Sequence, residues 1–169
     1  MAFLGHITPE VVDIFLSEAA DLLGQWDEAC YSLENEGDPR EALLWISRCT
    51  QSLRRASRGM GLEEFAHTLN ATEDYVRLVL RASAQPGPEV VRTLSLTHGV
   101  MSRWIVGLRT DSHHTENLDD VNDSIRTQKA TVQALIDEAR AATQAKTLKT
   151  HDGIGFDCDD ESDQSGHQD

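Results

Sequence analysis

The chain is short of the residues that build turn-rich β-sheet proteins. Its 169 residues include only 4 Pro and 11 Gly, and aromatic residues make up 5%. Sandwiches and barrels need many short strands separated by turns, so this composition favours an all-α fold. No window approaches the roughly 18 continuous apolar residues of a membrane span, and the first residues lack the basic start and apolar run of a signal peptide. We therefore expect a cytoplasmic protein that does not bind membranes.

Cysteine and basic residues are also scarce. The cysteines, Cys30, Cys49 and Cys158, are odd in number and widely spaced, so they predict neither a disulfide framework nor a zinc site, and we expect no metal or other cofactor. Lys and Arg number 15 against 29 Asp and Glu, which gives a formal net charge of -14. Such an excess of negative charge opposes binding to a phosphate backbone, and nucleic acid is not an expected partner.

Apolar residues recur at steps of three and four in segments that are separated by breaker residues. Breaks fall at residues 35–39, 58–61 and 85–88. This spacing predicts four amphipathic helices, and their short links predict an antiparallel four-helix bundle over residues 1–109. The positions expected to be buried are Val12, Phe15, Ala19, Leu22, Trp26, Ala29 and Leu33 in the first helix, Ala42, Ile46, Cys49 and Leu53 in the second, Leu62, Phe65, Ala66, Leu69, Thr72, Val76 and Val79 in the third, and Val91, Leu94, His98, Met101, Ile105 and Leu108 in the fourth.

The rest of the chain predicts one more helix and a charged tail. After a linker at 110–117, residues 118–145 predict an additional amphipathic helix whose narrow apolar seam is interrupted by Gln128. This seam fits docking on the bundle and pairing with a second copy over residues 118–142 equally well. Residues 150–169 hold seven acids and no Lys or Arg, so we expect residues 146–169 to form a disordered acidic tail.

Three stretches within residues 8–108 point to one family. They are Phe15-Leu16-Ser17-Glu18-Ala19-Ala20-Asp21-Leu22-Leu23, Gly61-Leu62-Glu63-Glu64-Phe65-Ala66 and Glu73-Asp74. This pattern resembles the histidine-phosphotransfer (HPt) domain, especially the first domain of chemotaxis-type histidine kinases. The resemblance implies an HPt-like bundle whose second helix carries a His-x-x-Lys-Gly signature, in which the histidine accepts a phosphoryl group. Counting back from Gly61 without gaps places Gln51-Ser52-Leu53-Arg54-Arg55 on that signature.

The nucleophile of the signature is therefore replaced. A neutral imidazole nitrogen can form a phosphoramidate, whereas the lone pair of the Gln51 amide nitrogen is delocalised into its carbonyl. Arg54 takes the position of the lysine, and the bulky Arg55 takes that of the glycine, which in the family lets a partner approach closely. The resemblance then implies a binding protein, not an enzyme, that keeps the docking face and has lost phosphate transfer.

Basic residues cluster around Gln51 on the second helix. Their spacing places them on or beside one helix face, and the expected binding residues are Arg48, Gln51, Arg54, Arg55 and Arg58. Receiver domains, the partners that the resemblance implies, present an acidic aspartate pocket, and a basic stripe is complementary to it. The alternative is a solvated helix face whose arginines are balanced by acids such as Glu63 and Glu64.

The main hypothesis is a non-catalytic adaptor in bacterial two-component or chemosensory signalling, which binds a receiver domain or a kinase module. Two alternatives stay open. An active phosphotransfer protein would use an atypical histidine, either His67 on the third helix or His98 on the fourth. A structural protein would use residues 118–142 to form a helical dimer around an inert scaffold.

Overall fold

The described part of the chain is helical apart from its short connections. It comprises residues 7–35, 37–82, 86–110 and 118–151 of a computed structural model, with side chains through residue 144. The helices in these ranges are α1 (Pro9–Glu34), α2 (Pro39–Gly59), α3 (Glu63–Ala82), α4 (Pro88–Thr110) and α5 (Leu118–His151). No strand occurs in them, so the all-α prediction is confirmed. None of these five helices combines the length and the apolar character that crossing a membrane requires.

Local sequence signals set both ends of α2. At its start the Asp38 carboxylate accepts two backbone N–H groups, at 2.9 and 3.3 Å, which satisfies donors that the first turn leaves without partners. At its end Gly61 adopts a φ of 72°, and the N–H of Leu62 donates to the carbonyl of Ser57 at 2.9 Å. This is a Schellman ending, and it requires a residue without Cβ because the backbone is left-handed there.

Among α1, α2, α3 and α4, each helix packs against two of the other three. α1 contacts α2 and α4, α2 contacts α3, and α3 contacts α4. The Ser95 hydroxyl donates to the Glu34 carboxylate at 3.5 Å, and Arg109 donates to the carbonyl of Leu16 at the same distance. The C-terminal part of α4 thus contacts the N-terminal part of α1, so these two helices run antiparallel.

All the core positions predicted for the second and third helices are buried. The predictions for α1 and α4 are partly wrong. The residues that are half-buried instead of buried are Leu22, Leu33, Val91, His98 and Leu108. Leu16 and Leu23 of α1 and Val90 of α4 are buried in their place. α1 lies between two partner helices, so its buried face is wider than one seam at steps of three and four.

Two compact units divide the chain, residues 1–135 and 136–169. In the first unit Lys129 of α5 lies 3.9 Å from the carboxylate of Asp74 on α3, and Leu135 is exposed. The apolar residues that α5 buries there are Leu118, Val121, Ile125 and Val132. In the second unit α5 continues to His151, beyond the predicted end at residue 145. Residues 111–117 of the predicted linker and residues 152–169 of the predicted tail lie outside the described residues.

Candidate docking surface on α2

Four of the five expected binding residues lie along one strip of α2. Arg48, Arg55 and Arg58 are exposed, and Gln51 is half-buried among them. Their spacing of three, four and three residues keeps them within about 80° of helix surface, because each residue turns the helix by about 100°. We call these four residues the α2 stripe. No acidic residue occurs between Ala42 and Gly59, so all the charges of the stripe are positive.

The C-terminal end of the stripe carries two exposed cations. Within the described ranges no carboxylate lies at ion-pair distance from Arg55 or Arg58. Glu63 and Glu64 are exposed at the start of α3 and form no ion pair with either arginine. Glu63 and Glu64 therefore do not neutralise Arg55 or Arg58.

Arg54 is not part of the exposed surface, and the expectation that it lies there is wrong. Its side chain is only 18% exposed, and its Nε donates to Oε2 of Glu73 on α3 at 3.1 Å. Glu73 is 2% exposed, and its other oxygen accepts a hydrogen bond from Arg77. A buried carboxylate needs compensating cations, so Arg54 links α2 to α3 and its charge is neutralised inside the protein.

A signal for this pair exists in the sequence. Glu73 directly follows the buried Thr72 and lies between Leu69 and Val76, within the apolar stripe of α3. An acid at such a position is almost never fully buried without a partner. The sequence does not name the partner, because Arg54 is 19 residues away and several arginines are available.

The exposed face of α2 begins with apolar residues that the binding-site prediction leaves out. Leu44 and Trp45 are 40% and 42% exposed. The guanidinium carbon of Arg48 lies 5.2 Å from the centroid of the Trp45 ring, which is cation–π distance. Trp45 also borders an open cleft of about 360 Å³ between α1 and α2. The other residues that line the cleft are Gln25, Glu28, Ala29, Ser32, Asp38, Glu41 and Ala42.

His98, one of the two alternative phosphoryl acceptors, joins α4 to α1. Its Nε2 lies 3.0 Å from the carbonyl oxygen of Leu23 and 3.2 Å from the hydroxyl of Ser102, and its Nδ1 lies 3.6 Å from Oδ1 of Asp27. This order of serine, histidine and aspartate is that of a hydrolase triad. A carbonyl oxygen can only accept, so a hydrogen bond to Leu23 requires the proton on Nε2, and Nε2 then cannot take a proton from Ser102. The other alternative acceptor, His67, is exposed on α3.

Burial suppresses the reactivity of the thiols in α1 and α2. It raises the pKa of Cys30 from 9.0 to about 11 and also raises that of Cys49. Because the thiolate is the reactive form, both thiols stay protonated and inert at neutral pH. Burial likewise raises the pKa of Tyr75 from 10.0 to about 12. The described residues contain no group of three His, Cys, Asp or Glu side chains that could hold a metal ion.

These shifts predict that stability falls as the pH rises above about 9. The unfolded chain releases the protons of Cys30 and Tyr75 near their ordinary pKa values, whereas the folded protein retains them to about 11 and about 12. The unfolded state then binds fewer protons, so the free energy of unfolding decreases with increasing pH. Urea denaturation at a series of pH values measures this decrease. Cys30→Ala with Tyr75→Phe should make this decrease smaller, since of the three groups only Cys49 then remains, and an unchanged slope in that variant would contradict the assignment.

Comparisons of the chain with protein-family models, with curated proteins and with solved structures give no match.

Proposed function

We propose that the chain is a degenerate HPt-like module that acts as a non-catalytic adaptor in bacterial two-component or chemosensory signalling. Its α2 stripe binds a receiver domain or a histidine-kinase module without transferring phosphate. The closed order of packing, in which α1 contacts α2, α2 contacts α3, α3 contacts α4 and α4 contacts α1, supports the four-helix bundle that the proposal needs.

One observation carries the proposal: an exposed cationic stripe surrounds a side chain that has no nucleophilic nitrogen. Gln51 lies between Arg48 and Arg55, at the position where the resemblance places the phosphoryl-accepting histidine. Its amide offers hydrogen bonds to a partner and no nucleophilic nitrogen. The guanidinium groups beside it provide fork-shaped donors that match carboxylates.

The charge distribution of the chain supports an oriented complex with an acidic partner. The whole chain carries a formal net charge of -14, which opposes association with an acidic protein in general. The α2 stripe has the opposite sign locally, because it combines three exposed arginines with a run of sequence that contains no acid. Such an arrangement raises the association rate for one orientation and disfavours the others.

The test is a binding titration of the full-length protein against purified receiver domains of bacterial response regulators. We expect that Arg55→Glu with Arg58→Glu weakens binding at least about tenfold, since it replaces attraction by repulsion at the contact. The effect should shrink as salt is added, because exposed charges are screened. Helical circular dichroism should not change, since both side chains are exposed.

A second pair of Arg→Glu substitutions, placed away from the stripe, distinguishes a direct contact at the stripe from an effect of net charge. Arg92 and Arg126 are each 76% exposed and lie on α4 and α5, so Arg92→Glu with Arg126→Glu changes the total charge by the same amount away from the stripe. We expect this control to bind as the wild type does. Equal losses in both variants would show that only total charge matters and would remove the α2 stripe from the account.

A further inference from the structure

The exposed face of α2 extends one turn beyond the stripe, toward the start of the helix. Leu44 and Trp45 precede Arg48 by four and three residues, which places them about 40° and about 60° to either side of it. Both are large apolar side chains with two-fifths of their surface open. Arginines and exposed apolar groups thus form one continuous surface.

The contact between Arg48 and Trp45 holds both side chains in place before any partner arrives. The guanidinium carbon lies 5.2 Å from the ring centroid, within the range of a cation–π interaction. A guanidinium that lies over a ring keeps N–H donors at its edge, where they can reach a carboxylate. Side chains that are already ordered lose less conformational entropy on binding.

We infer that Leu44, Trp45 and Arg48 form the anchor of the docking surface. The indole of Trp45 enters an apolar pocket of an acidic protein partner, and Arg48 donates hydrogen bonds to a carboxylate at the rim of that pocket. This inference rests on the proposed function, because it specifies the partner's chemistry at the same face. Tryptophan and arginine contribute disproportionately to the binding energy of protein interfaces. We therefore place the anchor at this end of α2, where the two occur together.

Charge complementarity favours an acidic protein as the partner of this face over an anionic membrane and over a second copy of the chain. An anionic membrane would attract the arginines, but it would meet the strongly negative charge of the rest of the chain at the same time. A second copy of this chain would bring the same cationic α2 face. A separate protein with an acidic rim and an apolar pocket satisfies both parts of the surface.

Trp45→Ala in the full-length protein tests the anchor, with binding to the purified receiver domains as the readout. We expect affinity to fall at least about tenfold, and this loss to depend less on salt than that of Arg55→Glu with Arg58→Glu, because the indole contact itself is apolar. Leu44→Ala should weaken binding in the same direction. Leu96→Ala is the matched control, since Leu96 is 47% exposed on α4, and it should leave affinity unchanged.

The outcomes separate the anchor from the proposed function. If Arg55→Glu with Arg58→Glu weakens binding while Trp45→Ala and Leu44→Ala do not, the anchor is wrong and the docking stripe stands. If no variant changes binding, or if neither a receiver domain nor a histidine-kinase module binds, the proposed function fails together with the anchor. Anionic phosphatidylserine vesicles should not bind the wild type; binding that Trp45→Ala abolishes would assign this face to membranes and overturn the inference. Self-association that Trp45→Ala removes would likewise overturn it.

Discussion

Arg54→Glu should lower the free energy of unfolding by about 3–5 kcal/mol, the range for a buried ion that loses its partner. In the wild type, Glu73 is 2% exposed and pairs with Arg54 at 3.1 Å. The substitution replaces this cation by a second carboxylate beside Glu73. Arg77 also contacts Glu73 and remains, so the lower end of the range is expected. Urea denaturation at neutral pH, followed by circular dichroism, measures the loss.

The neighbouring arginine provides the control for this substitution. Arg55→Glu makes the same change of charge one residue further on, at an exposed side chain, and should alter stability by less than about 0.5 kcal/mol. Adding Glu73→Gln to Arg54→Glu removes one of the two facing carboxylates and should restore part of the lost stability. Equal stability of the Arg54→Glu and Arg55→Glu variants would show that the pair between α2 and α3 contributes nothing.

Leu69→Ala should cost about 2–5 kcal/mol, because it removes a fully buried side chain and leaves a cavity in the core. Leu69 lies on α3, whose apolar stripe is buried as the sequence predicts. Thermal or urea unfolding should remain a single transition at lower temperature or denaturant concentration. The site also lies away from the exposed face of α2, so the folded variant should keep its affinity for the receiver domain.

Leu22→Ala is the matched substitution on α1. Leu22 also fits the predicted apolar spacing, but its side chain is only half-buried. Its truncation should therefore cost about 1 kcal/mol, in proportion to the smaller area that it buries. If Leu22→Ala cost as much as Leu69→Ala, the assignment of the α1 core face to Leu16 and Leu23 would be wrong.

The sequence predicts the helices well because their boundaries depend on local chemistry. Asp38 caps the start of α2, and Gly61 allows the turn that ends it. Both residues interact with backbone groups only a few positions away. The buried positions of α2 and α3 also follow from the spacing of apolar residues. The face of α1 is harder to predict, because α1 contacts both α2 and α4 and the sequence does not state where each neighbour lies.

The candidate surface is only partly predictable for a similar reason. Helical spacing places Arg48, Arg55 and Arg58 together, and the structure leaves them exposed. Spacing also associates Arg54 with them, because a pattern along one helix contains no information about Glu73 on the next. The exposure of Trp45 depends on how α1 lies against α2, where an open cleft remains beside the indole.

We propose that this protein binds its partner without carrying phosphate, since Gln51 has no nucleophilic nitrogen. The most direct measurement is incubation of the full-length protein with a phosphorylated receiver domain, and separately with an active histidine kinase and labelled ATP, followed by assay for acid-labile phosphate. We predict stable binding and no label on the chain. A phosphohistidine that disappears in His67→Ala or His98→Ala would contradict the account.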